Sequence, residues 1–329
     1  MQVLILSEDE IRECVKLDSE VILVVEEGFS RLADSDVHLP PIMMIEVPEN
    51  KGEVDIKSAH IEGYPSFAVK LASGYFENPS DGSPSGSGMM VLISAETGFP
   101  QAVLFDNAYL TNVRTGAAGA IAAKYLAPEE VTTAGVIGSG TQARFQMKAL
   151  QKVRNFERLL VYSRTAENVR KYISEMEPAL GVEVISADSP EEVVRNSEVV
   201  VTTTPSHKPF LKADWLHPGL HITAMGSDTE HKQELFPEVL SSADLLVCDK
   251  KSQCFRLGEL HYGKEAGLIA PSGDIVGLGE ITSGQRSGRS SDQEVTVCDL
   301  TGVGVQDTVI ALFCYQKAKE KRLGLELEV

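Results

Sequence analysis

The chain has 329 residues, more than one ordinary core holds, so two domains are expected. Hydrophobic residues make up 43% and charged residues 24%, which excludes wholesale disorder. A formal net charge of −18 sets the surface against nucleic acid and anionic membranes, yet a local cationic pocket would stand out against it and draw in an anion.

The N-terminus carries a short apolar run without a basic region or a cleavage site, which reads as mature chain, and no apolar stretch reaches bilayer-spanning length. A cytoplasmic protein is therefore expected. Ser7 with Glu10 makes a capping box that starts a first helix. A second helix is expected over 19–33, closed by Pro40 and Pro41. Short strands should follow at 43–47, 54–60, 67–72, 89–94 and 102–105, with a loop by composition at 78–88. The small-residue segment 115–127 reads as a helix whose backbone can approach a neighbour closely.

From Val131 strands alternate with helices. Strands are expected at 131–137, 159–162, 182–186, 198–203, 221–224, 245–249 and 295–299, and helices at 142–153, 166–176 and 190–196. That spacing predicts a parallel sheet covered on both faces. A final helix is expected at 305–319, with a return to the first domain as one course for it. The five cysteines (Cys14, Cys248, Cys254, Cys298, Cys314) are scattered and read as free thiols. No His/Cys/carboxylate set has metal-ligand spacing, so no metal is expected. His60, His231 and His261 read as turn or interface residues rather than catalytic ones.

Gly138-Ser-Gly-Thr-Gln-Ala143 follows an apolar strand and opens a helix. In that context Gly138 makes the tight turn, Gly140 lets backbone approach a pyrophosphate, and Ala143 keeps helix and sheet close. The helix N-terminus offers free N–H groups and a positive dipole end to the phosphates, which makes this a dinucleotide site on a Rossmann unit, with Thr141 and Gln142 beside it. The next strand ends in Ser163, Arg164 and Thr165, without the acidic residue that binds the ribose 2′-hydroxyl of NAD. NAD(H) or NADP(H) both fit, with a lean to NADP(H); Arg164 stacked on adenine or pointing into solvent is the rival. Thr202, Thr203 and Thr204 end a later strand at the ligand-binding edge of the sheet, or simply form a strand-to-loop turn.

Several segments together resemble the ornithine cyclodeaminase/μ-crystallin family: 114–127, the Gly138 fingerprint, 202–205, 226–228 with 232–235, and 299–307. Within it, 224–232 and 256–261 look most like cyclodeaminase-like proteins of ectoine utilisation and iminosuccinate reductases. The resemblance implies an α/β fold in which a Rossmann domain (119–305) accompanies an α+β substrate-binding and dimerisation domain (1–118 with 306–329). It also implies a homodimer and hydride transfer between nicotinamide and the α-carbon of an imino or amino acid.

The resemblance further implies site residues. Lys70 is a general acid/base or carboxylate ligand, Arg114 clamps the substrate carboxylate and also meets the cofactor, and Asp228 faces the substrate nitrogen. Thr115, Met225, Gly226 and Ser227 would meet the cofactor. Each main residue has a plainer rival: a strand-edge surface lysine for Lys70, a helix-start ion pair for Arg114, the N-cap of a following helix for Asp228. The chain departs from the family at Ile42, where many members carry a basic residue, and has Lys57 instead. Lys57, Lys70 and Arg114 together could balance a dicarboxylate. The expected activity is NAD(P)H-dependent reduction of an imino acid to an L-amino acid, with iminosuccinate to L-aspartate as the first substrate. The alternatives are a cyclodeaminase-type lyase, an alanine dehydrogenase or ketimine reductase, and a non-catalytic binding protein.

Overall fold

A computed structural model describes residues 2–34, 36–75, 78, 84 and 86–328. The chain divides into two compact units, residues 1–114 with 303–329 and residues 115–302. The resemblance to the family implies edges a few residues later, at 118/119 and 305/306.

The first unit begins with β1 (Gln2–Leu6), α1 (Glu8–Cys14) and α2 (Ser19–Asp34). Then come β2 (Val37–His38), β3 (Met43–Val47), β4 (Gly52–Ile61), β5 (Ser66–Tyr75), β6 (Gly86–Ser94) and β7 (Pro100–Leu104). Helix α3 (Tyr109–Leu126) carries the boundary between the units within it. The capping box is formed, with Ser7 N–H donating to Glu10 at 2.9 Å. The opening apolar run, not assigned by its own pattern, is a strand because β7 lies parallel to it. Residues 86–88, expected in a loop, extend β6 instead; pairing with β5 supplies the hydrogen bonds that composition cannot show. Residues 79–83 and 85 of that expected loop lie outside the described residues.

The second unit contains β8 (Thr133–Ile137), α4 (Thr141–Leu150), β9 (Arg158–Tyr162), α5 (Ala166–Leu180), β10 (Glu183–Ser186), α6 (Pro190–Arg195), β11 (Val199–Thr202) and β12 (His221–Ala224). It continues through α7 (Pro237–Ser241), β13 (Leu245–Cys248), α8 (Lys251–Leu257), α9 (Glu259–Glu265), β14 (Val276–Gly277), α10 (Leu278–Thr282) and β15 (Thr296–Asp299). The chain then returns to the first unit as α11 (Gly304–Lys321) and β16 (Leu325–Glu328).

The sheet of the first unit runs β16-β1-β7-β6-β5-β4-β2, with β3 also on β4. Lys57 on β4 and Lys70 on β5 are direct cross-strand partners. The sheet of the second unit runs β10-β9-β8-β11-β12-β15-β13-β14, all pairs parallel. β8, β11, β12 and β15 are buried along their whole length, as a parallel sheet covered on both faces requires. The order reverses between β8 and β11, and such a switch point opens a crevice at the carboxyl ends of the strands. All five cysteines are buried free thiols, and Cys298 fills β15. Among the described residues no helix is long and apolar enough to cross a membrane.

Candidate functional site

In the first unit, sheet and helix converge on a buried cationic cluster. Lys70 lies on β5, flanked by β4 and β6, and is 2% exposed, so it is not a strand-edge surface lysine. Arg114 is buried inside α3, which starts at Tyr109 rather than 115 because Asp106 accepts the Leu110 N–H at 2.8 Å. The fully buried carboxylate of Asp307, from the first turn of α11, lies 3.2 Å from Lys70 Nζ and 3.1 Å from Arg114 Nε. Gln306 beside it reaches the Arg114 guanidinium and carbonyl.

Lys57 is buried too, and its charge bears on both Lys70 and Asp307. Burial, then Arg114 and Lys57, push Lys70 down to about 7, against the pull of Asp307. Burial acts to raise the Asp307 carboxyl, but Lys70, Arg114 and Lys57 outweigh it and hold the group low. Three cations thus bear on this one acid. The cluster holds an amine poised to gain or lose a proton near neutrality.

In the second unit the fingerprint has the geometry its sequence demands. Gly138 has φ +118°, and a Cβ there would strike Thr203 Oγ1, so only glycine serves. A Cβ on Gly140, the N-cap of α4, would meet nothing within 4 Å, leaving open space before the helix N-terminus. Ala143 is fully buried. A cavity of about 370 Å³ lies there, lined by Gly138, Gly140, Ser163, Arg164, Thr203 and Thr204 among others. The cleft and the open space at Gly140, before the helix N-terminus, fit a dinucleotide.

Not every expected cofactor residue faces that cleft. Thr202 is fully buried, and its hydroxyl donates to Glu234 at 2.5 Å. Ser227 turns into its own loop, donating to the Lys232 carbonyl at 2.5 Å, and Met225 is buried. Gln142 is half-buried and Thr141 exposed at the start of α4, while Thr165 caps α5. The Thr115 carbonyl accepts from Gln146 at 2.8 Å. Asp228 does not cap a helix: the chain continues as a loop, and its carboxylate pairs with Lys232 at 2.8 Å.

Sequence reasoning assigned no role to Asp307 or Glu234, although both lie in segments it singled out. For Asp307 the signal was an acid at the head of the apolar run 309–314; Glu234, preceded by polar residues, gave none, and both side chains are fully buried. His261 stands by Glu265 at 3.5 Å, a surface pairing.

A family model described as ornithine cyclodeaminase/mu-crystallin family matches residues 1–322. Three solved structures are similar over nearly whole chains. The Thermococcus litoralis Δ1-pyrroline-2-carboxylate reductase, in complex with NADH and L-proline, has a TM-score of 0.93 and 31% identity, covering 99% of this chain and 100% of that one. An archaeal alanine dehydrogenase dimer with bound NAD has a TM-score of 0.91 and 36% identity, covering 100% and 99%. The iminosuccinate reductase of Paracoccus denitrificans, in complex with NAD+, has a TM-score of 0.91 and 28% identity, covering 100% of both chains.

Proposed function

The chain belongs to the ornithine cyclodeaminase/mu-crystallin family, and on that premise we propose that it is an NAD(P)H-dependent imine reductase that converts iminosuccinate to L-aspartate. The observation that supports the substrate choice is that Lys57, Lys70 and Arg114 are all buried and all bear on the same carboxylate, Asp307. Arg114 takes the α-carboxylate through its planar fork, and Lys57 takes the second carboxylate.

The reduction adds a hydride to the imine carbon and a proton to nitrogen. The nicotinamide supplies the hydride when bound. Lys70, with its amine near 7, holds and delivers the proton. Gly138, Gly140 and the start of α4 receive the pyrophosphate. Ser163 and Arg164 line the cleft with no acid beside them, which favours a 2′-phosphate and hence NADPH. The protein works as a homodimer on a small imino acid in the cytoplasm.

The test is oxidation of NADH and of NADPH with ammonia plus oxaloacetate, pyruvate or glyoxylate. Iminosuccinate generated by a β-hydroxyaspartate dehydratase and Δ1-pyrroline-2-carboxylate complete the panel. The dicarboxylate is expected to give the highest kcat/KM. Inactivity with every imine rejects the reductase reading. Ammonia release from ornithine or diaminobutyrate, without net change in nicotinamide absorbance, would instead identify a cyclodeaminase.

A further inference from the structure

Two loops leave the carboxyl edge of the second sheet from neighbouring strands. One follows β11 from Thr203 and the other follows β12 from Met225; the strands are paired with Thr202 opposite Ala224. The side chain that joins these loops is Glu234, which is fully buried. Its Oε2 accepts the Thr202 hydroxyl at 2.5 Å and the Gly226 N–H at 2.9 Å. Its Oε1 accepts the Thr204 N–H at 2.6 Å and the Thr204 hydroxyl at 2.7 Å. Two donors thus meet each oxygen, and they come from both loops.

The surroundings fix Glu234 in turn. Glu259 on α9 accepts the Glu234 N–H at 2.8 Å and the Leu235 N–H at 3.3 Å. The Glu234 carbonyl accepts from Phe210 N at 2.8 Å and Leu211 N at 3.1 Å. Gly226 packs tightly between the two loops: a Cβ there would meet the Thr204 carbonyl oxygen and lie 2.5 Å from Glu234 Oε2. Only an ionised carboxylate accepts four hydrogen bonds and donates none. Burial pushes this carboxyl up to about 7, and no salt bridge among the described residues reaches it. The fold therefore holds a costly acid where an apolar residue would pack at less cost.

We propose that Glu234 is a positioning residue for the dinucleotide: its carboxylate ties the loop after β11 to the loop after β12 and so holds Thr203 and Thr204 in the shape that receives the cofactor. Thr203 and Thr204, on the first loop, line the cleft that would take the dinucleotide. The inference rests on that reading of the cleft. Thr202 belongs to the same device, because its buried hydroxyl reaches Glu234 and not the cleft.

The test is calorimetric titration of the intact protein with NADH and NADPH. Glu234→Gln keeps the size but turns an amide donor toward donors, and should weaken the better-bound dinucleotide by about tenfold or more. At Thr202 a pair of variants separates hydrogen bonding from packing. Thr202→Ser keeps the donor and should bind within about twofold of the parent, whereas Thr202→Val keeps the shape and should bind about fivefold or more weaker. The Thr202 pair decides the matter if Glu234→Gln does not fold. Parental affinity in a folded Glu234→Gln, or binding by Thr202→Val as tight as or tighter than by Thr202→Ser, overturns the inference. A parent protein that binds neither dinucleotide overturns the reading of the cleft itself.

Discussion

Lys70 shows how one side chain links burial, charge and chemistry. Its amine is lowered from the ordinary 10.5 to about 7, first by burial and then by Arg114. Between those two values the unfolded chain binds the proton and the folded chain does not, so stability rises with pH across that window. Below about 7 the full cost of burying the ammonium is present. Lys70→Met should therefore raise stability most at about pH 6, with the gain shrinking toward about pH 10; denaturant melts across that range measure it. The same variant should lose about a hundredfold or more in reductive kcat. In the parent, reductive kcat/KM should fall above about pH 7 as Lys70 gives up its proton. Asp307→Asn leaves Arg114 and Lys70 without their counter-charge and should cost about 3 kcal/mol in denaturant unfolding. Lys57→Met should reduce kcat/KM for iminosuccinate by about a hundredfold while sparing imines with one carboxylate, since only the former leaves a charge unpaired.

Among the elements, the turn from β8 to α4 is tightly constrained. At Gly138 a side chain would meet both a positive φ and Thr203. Gly138→Ala should abolish measurable dinucleotide binding by calorimetry and cost about 1–3 kcal/mol of stability. Elements of this kind were legible in the sequence, because tight turns, caps and alternating periods act over a few neighbouring residues. Strand β12 fell at its expected residues, 221–224. Helices α7 to α10 did not show, being five to seven residues long and too short for a helical period to declare itself. β1 was missed for another reason: its pairing with β7 and β16 comes from remote parts of the chain.

At the scale of the whole molecule, the first unit is assembled from both ends of the chain, with α11 delivering Asp307 to Lys70 and Arg114. Met43 and Ile45 on β3 are 58% and 49% exposed, an apolar pair on a strand that, among the described residues, is bonded only to β4. Such surface on a strand edge invites association. Sedimentation should show a species of twice 35.6 kDa, and the double substitution Met43→Glu with Ile45→Glu should shift it toward monomer.

Local backbone rules and residue chemistry were enough to specify the parallel α/β unit and the strand–glycine–helix turn, while Lys57, Lys70 and Arg114 were picked out by the resemblance to the family. Which acids answer those cations, and which threonines face the cleft, depended on folding. Asp307 meets Lys70, and Glu234 takes Thr202, because the fold brings distant segments together in a dry interior. Water no longer screens or satisfies them there, so each buried charge and donor must find a partner.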